Sequence, residues 1–209
     1  MPLATAERLD PLAGRWERLP PVPTARHGSA CAAAAGMLYV VGGYDGEGVL
    51  AVAERFDPVA GRWELLPPML TERGRCVAAA LEGMVYVAGG TDDNGQDLAS
   101  LEVFDTATCK WRAAPPMPTP RCGCAMAAGA DGALYVFGGR SGSEKLALVE
   151  RFDPITSSWE AVSAMPTARD GCAAAATTEG IVVFGGRGMG QTLPVVERYD
   201  PWSGIWEPL

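Results

Sequence analysis

Carboxylate pairs recur along this chain at a fixed spacing: Glu7 with Asp10, Glu54 with Asp57, Glu102 with Asp105, Glu150 with Asp153, and Glu197 with Asp200. Two carboxylates held close together are the raw material of general acid–base chemistry. Their recurrence argues for another job. A group present in every unit is expected to serve the unit, by accepting hydrogen bonds from turn N–H groups and by pairing with the recurring Arg26, Arg73, Arg121 and Arg169. His27 is the only histidine, so a triad or an imidazole metal site would depend on one ring. Its place directly after Arg26 reads as an ordinary loop position rather than that of a general base.

Six cysteines are present, with no C-x2-C pair among them. Cys76, Cys124 and Cys172 each stand three residues after a recurring arginine, in the slot that Ser29 holds first. They read as small buried residues rather than as metal ligands or redox centres. Cys122 and Cys124 alternate as strand residues do, which is not a ligand spacing. The run Gly186-Arg187-Gly188-Met189-Gly190 has Gln191 where a dinucleotide fingerprint needs glycine, and it reads as a flexible loop. No catalytic residue, metal or cofactor is assigned.

A repeat positions all of these residues. Glycine pairs fall at Gly42-Gly43, Gly89-Gly90, Gly138-Gly139 and Gly185-Gly186, and Trp16, Trp63, Trp111, Trp159 and Trp206 follow one another at intervals of 47 or 48 residues. Each period holds four short apolar or alternating segments separated by Gly, Pro, Asp or Asn, the pattern of antiparallel strands joined by turns. Ser29 to Ala35, Val77 to Leu81, Ala125 to Ala130 and Ala173 to Thr178 are rich in alanine and favour helix by propensity alone. Their fixed place in a four-strand period overrides that preference, because small side chains suit the innermost strand, where sheets converge on an axis. Met37 to Val41 is apolar on both faces, as befits a strand between neighbouring sheets. Each tryptophan is expected to span the gap between two sheets, and truncating one is expected to cost about 3–5 kcal/mol.

One period reads R-x-G-x-A, M-x-Y-V-x-G-G, V-E-R-F-D-P and R-W-E-x-L-P-P-M-P. This wording resembles the kelch repeat in its diglycine, in the tyrosine three residues before it (Tyr39, Tyr86, Tyr135), in the Glu and Asp of the third segment, and in the spaced tryptophan. The resemblance covers essentially the whole chain. Departures are few: Val182 replaces the last tyrosine, Thr106 replaces the proline after Asp105, and Arg75 replaces the glycine of R-x-G. The resemblance implies an all-β kelch β-propeller. Its parts are an N-terminal half blade over 1–20 and four complete four-stranded blades over 21–67, 68–115, 116–163 and 164–209. The chain opens with the third and fourth segments of a blade and runs to a fourth segment, so the ring is expected to be incomplete or open. Such open edges invite self-association.

Function follows from the loops. The loops after the glycine pairs differ from one another, as binding loops on a rigid scaffold do. The first two are acidic (Tyr44-Asp45-Gly46-Glu47-Gly48 and Thr91 to Asp97), whereas Arg140 to Lys145 and Arg187 to Gln191 carry cations. The M-P-T-x-R and G-G-Y-D-G wording is similar to kelch domains of cullin-ring ligase adaptors, in which this face binds short acidic peptides. Carried over by position, the resemblance implicates Tyr44, Arg140 and Arg187, and Arg75 joins them because it departs from the repeat. Arginine holds a carboxylate with two parallel bonds, and tyrosine offers a flat apolar surface with a hydroxyl. The implied role is a non-catalytic module that recruits a protein or acidic peptide, as in a ubiquitin-ligase adaptor; a ligase role would require an adaptor-type dimerisation domain from elsewhere. Two alternatives remain from kelch relatives: a sugar mutarotase or epimerase, which needs a convergent acid/base pair in the channel, and an actin or cytoskeletal scaffold. Copper-oxidase relatives use paired histidines, which this chain lacks. Iron-binding relatives use E-x3-D-x3-C, for which Asp105 and Cys109 are spaced correctly but Leu101 stands in place of Glu.

A net charge of −8 disfavours a phosphate backbone as partner. No charged leader with an apolar core and no long apolar run is visible, so a cytoplasmic location away from the membrane is expected.

Overall fold

The computed structural model describes all 209 residues, which form strands and turns without a helix. Strands β1 (Ala6–Asp10) and β2 (Arg15–Leu19) pair as a half blade. Blade 1 is the antiparallel sheet β3 (Ala30–Ala34), β4 (Met37–Val41), β5 (Ala53–Asp57) and β6 (Arg62–Leu65), in that order. Blade 2 repeats it with β7 (Val77–Leu81), β8 (Met84–Ala88), β9 (Leu101–Asp105) and β10 (Lys110–Ala114). Blade 3 begins with β11 (Ala125–Ala128) and β12 (Leu134–Phe137). After a small hairpin, β13 (Arg140–Ser141) with β14 (Glu144–Lys145), it ends with β15 (Val149–Asp153) and β16 (Ser158–Val162). Blade 4 has β17 (Ala173–Thr177) and β18 (Gly180–Phe184), the hairpin β19 (Arg187–Gly188) with β20 (Gln191–Thr192), then β21 (Val196–Asp200) and β22 (Ile205–Pro208).

The alanine-rich segments are strands, as their place in the repeat requires. They form the inner wall, β3 against β7, β7 against β11, and β11 against β17. The three apolar cores lie between sheets rather than within them. One joins Tyr39 and Val41 of blade 1 to Val85, Val87 and Phe104 of blade 2. The second joins Tyr86 and Val103 to Leu134, Val136 and Phe152, and the third joins Tyr135 and Phe137 to Ile181, Val183 and Tyr199. No blade buries its faces alone, so stability is carried by the contacts between neighbours.

The tryptophans make those contacts specific. Trp63, Trp111 and Trp159 each donate their indole N–H at 2.8 Å to a carbonyl of the preceding blade, at Pro20, Pro67 and Pro115. Trp206 does the same to Ser163 at 3.0 Å. Each ring also packs on the aromatic residue opposite it in its own sheet, as Trp63 does on Phe56 with centroids 5.1 Å apart.

The arc is open beyond blade 4. A Cβ at Gly42, Gly89 or Gly138 would meet the carbonyl oxygen of Arg73, Arg121 or Arg169 in the next blade at 2.4–2.5 Å, yet at Gly185 it would meet nothing within 4 Å. Phe184 is 43 % exposed, and β17 is largely uncovered. On the other flank, Trp16 is 67 % exposed. One expectation is corrected. The glycine-rich run after Gly186 is a paired hairpin, Arg187 with Thr192 and Gly188 with Gln191, rather than a loose loop. Gly190, in the left-handed region at φ +84, lets it turn back.

Candidate functional site

The site is assembled on a set of buried staples. Arg73 donates from Nη1 to the Gly89 carbonyl at 2.9 Å and from Nη2 to Glu102 at 2.5 Å. Arg26 pairs with Glu54, Arg121 with Glu150 and Arg169 with Glu197 in the same way, and all four arginines are buried. Each arginine therefore ties the diglycine and the third strand of a blade to the segment leading into its inner strand. Burial pulls the Arg26 and Arg121 guanidinium groups below their ordinary pKa, with Glu54 and Glu150 opposing it. The threonines of M-P-T-x-R complete the staple: Thr24, Thr119 and Thr167 donate their hydroxyls to these glutamates at 2.8–3.0 Å. In blade 2 Leu70 replaces the proline, and its backbone N–H bonds Glu102 at 2.7 Å instead. The aspartates are equally committed. Asp57 accepts the turn N–H groups of Val59 and Ala60 at 2.8 and 2.9 Å, and Asp10, Asp105 and Asp153 bind their own turns alike.

With these groups occupied, what faces the axis is a ring of backbone. Gly28, Arg75, Gly123 and Gly171 occupy equivalent positions, all left-handed, at φ +63, +52, +62 and +63. Arg75 N–H donates to the Gly28 carbonyl at 2.7 Å, Gly123 N–H to Arg75 at 3.0 Å, and Gly171 N–H to Gly123 at 2.7 Å. This ring frames a cavity of about 310 Å³ at the channel mouth, lined also by Cys76, Cys124, Cys172, Arg140 and Asp170. Burial pushes the Cys76 and Cys172 thiols up to about 11 and the Cys124 thiol to about 12, so the three thiols in the cavity wall are neutral at physiological pH. Burial, reinforced by Asp97, also pushes Cys122 up to about 12.

Two of the four residues singled out from the sequence, Arg75 and Arg140, meet in this cavity. Arg75 is exposed, and Arg140 is half-buried on β13 with Nη1 donating to the Gly142 carbonyl at 2.7 Å. Arg187 is exposed on the neighbouring hairpin, its backbone bonded to Asp170 at 2.8 and 3.1 Å, and it does not line the cavity. Tyr44 does not line the cavity either, but its ring packs beside Gly28 at the cavity edge. Its hydroxyl bonds the Thr91 hydroxyl at 2.5 Å, its ring lies where a Cβ on Gly74 would be, 2.1 Å away, and His27 stacks on it at 5.3 Å. Tyr44 thus latches blade 1 to blade 2 while presenting a flat His–Tyr surface. The sequence did not single out Lys145, which reaches from β14 to Asp170 at 2.7 Å and to the Arg187 carbonyl at 3.0 Å. The one available signal was variability: the position after each recurring arginine is His27, Gly74, Cys122 and Asp170 in turn.

The comparisons with known families agree with this architecture. Residues 75–209, well over half the chain, match the family model described as the KLHDC2/KLHL20/DRC7 Kelch-repeats domain. Residues 25–70 match the Kelch motif. The chain belongs to the kelch-repeat family, whose domains generally mediate protein–protein interaction. No helix is long and apolar enough to cross a membrane.

Proposed function

We propose that this protein is a non-catalytic interaction module that holds an acidic segment of a partner protein across the channel mouth. Arg75 and Arg140 take the carboxylates, Arg187 extends the cationic surface onto blade 4, and the His27–Tyr44 stack supports the chain of the ligand. The observation that carries this reading is the conformation of Arg75. A non-glycine residue in the left-handed region costs about 1–2 kcal/mol; Ala35, Glu82, Cys109 and Ser157 accept that cost in the turns between strands of one blade, whereas Arg75 accepts it at the channel mouth. Here the other ring positions are glycine, and the strained one is the residue that brings a guanidinium to the cavity. Apart from Glu7, which is exposed on the half blade, the recurring carboxylates are structurally committed and the inner thiols neutral, which supports binding rather than acid–base chemistry. Recruitment of a substrate to a ubiquitin ligase is the use that the kelch wording favours. The reading is tested by measuring the affinity of a Glu-rich peptide for the wild type and for the Arg140→Ala, Arg187→Ala double variant.

A further inference from the structure

The diglycine face is not uniformly charged. On blades 1 and 2 it carries Asp45, Glu47, Glu72, Asp92, Asp93 and Asp97 against the single free cation Arg75, since Arg26 and Arg73 are neutralised in their buried pairs. Blades 3 and 4 carry Arg140, Lys145 and Arg187 against Glu144 and Asp170. The division is also locked in place. Asp93 accepts the Val49 N–H at 2.7 Å, and Asp97 accepts the Gly142 N–H at 2.7 Å, each bridging to the adjacent blade. Asp45 and Asp92 are fixed by N–H groups of their own loops at 2.8 Å. On the cationic side Lys145 ties β14 to Asp170. Charges held by backbone bonds do not have to be ordered when a ligand arrives, so their pattern acts as a template.

A ligand that is acidic along its whole length would meet its own sign over blades 1 and 2. We infer that this face selects an extended segment of mixed polarity, with its acidic end at the mouth and over blades 3 and 4 and its basic end over the loops of blades 1 and 2. The inference rests on the acidic-segment reading above and adds to it a second pole and a fixed orientation.

Three fluorophore-labelled peptides test this against the full chain by anisotropy: one with a run of Glu and then a neutral Gly-Ser tail, one with Lys and the same tail, and one with Glu and Lys at opposite ends. The mixed peptide is expected to bind about tenfold more tightly than the Glu peptide. Glu47→Lys with Glu72→Lys, two exposed side chains outside the latches, is expected to abolish that gain and leave the Glu peptide at least as tightly bound. A mixed peptide that binds no better than the Glu peptide, or a gain that survives the reversal, overturns the mixed-polarity inference and leaves the acidic-segment reading standing. A Lys peptide that matches the mixed one overturns both.

Discussion

Arg75 and Gly28 hold the same place in successive blades, and the Arg75 N–H donates to the Gly28 carbonyl at 2.7 Å with both residues in the left-handed region. The bond needs only the backbone, so the fold does not require the arginine side chain. Arg75→Gly is therefore expected to keep or raise stability, by up to about 1 kcal/mol once the greater freedom of the unfolded chain is set against the relieved strain. Affinity for an acidic peptide is expected to fall in the same variant. Denaturant unfolding and peptide titration of one sample check both; a large loss of stability would contradict the assignment.

The glycine pairs should be unequal despite identical wording. A methyl group at Gly89 must enter the space of the Arg121 carbonyl, whereas at Gly185 only the φ of +67 opposes it. Gly185→Ala is expected to cost about 1 kcal/mol and Gly89→Ala about 3 kcal/mol or more, since a clash adds to the backbone strain. Equal costs in urea unfolding would refute the open flank at blade 4.

The tryptophans allow a similar contrast. Trp63→Phe removes the bond to the Pro20 carbonyl while keeping an aromatic ring against Phe56, a loss of about 1 kcal/mol. Trp16 makes no such bond and is 67 % exposed, so Trp16→Phe is expected to change stability by less than about 0.5 kcal/mol. Full truncation of Trp63 should fall at or below the lower end of the range expected from sequence, because its ring is only half-buried.

Alkaline pH is expected to destabilise the protein through its inner thiols. Cys76 and Cys124 are held up at about 11 and about 12 in the fold, against about 9 when unfolded. Above pH 9 the unfolded chain loses these protons while the folded chain keeps them, so stability is fully present below pH 9 and declines through the window from 9 to 12. Replacing Cys76, Cys124 and Cys172 by Ser, the residue at the equivalent Ser29, should flatten that decline in unfolding experiments at pH 8 and pH 10. An unchanged slope would mean that other groups cause it.

The repeat made most of the fold legible, because a period of 47 or 48 residues places strands that propensity alone would assign to helix, as in Ala30–Ala34. The structural role of Arg26 and its equivalents was legible for the same reason, since a recurring Arg with a recurring Glu implies a pair. Arg75 was visible as a departure from the pattern. What could not be read were contacts between loops of different blades. Tyr44 covers Gly74, and Lys145 reaches Asp170; neither spacing has a periodic trace. The hairpin at Arg187–Gly188 was hidden by glycine content, which marks turns and loose loops alike.

Arg140 at the mouth and Arg187 on the neighbouring hairpin are expected to bind an acidic segment without supporting the fold. Titration of a labelled Glu-rich peptide against the wild type and the Arg140→Ala, Arg187→Ala variant, with a melting curve of each, tests it most directly. The double variant is expected to lose about tenfold or more in affinity, as when charged hydrogen bonds are removed, with nearly coincident melting curves. Equal affinity in the two proteins would contradict it.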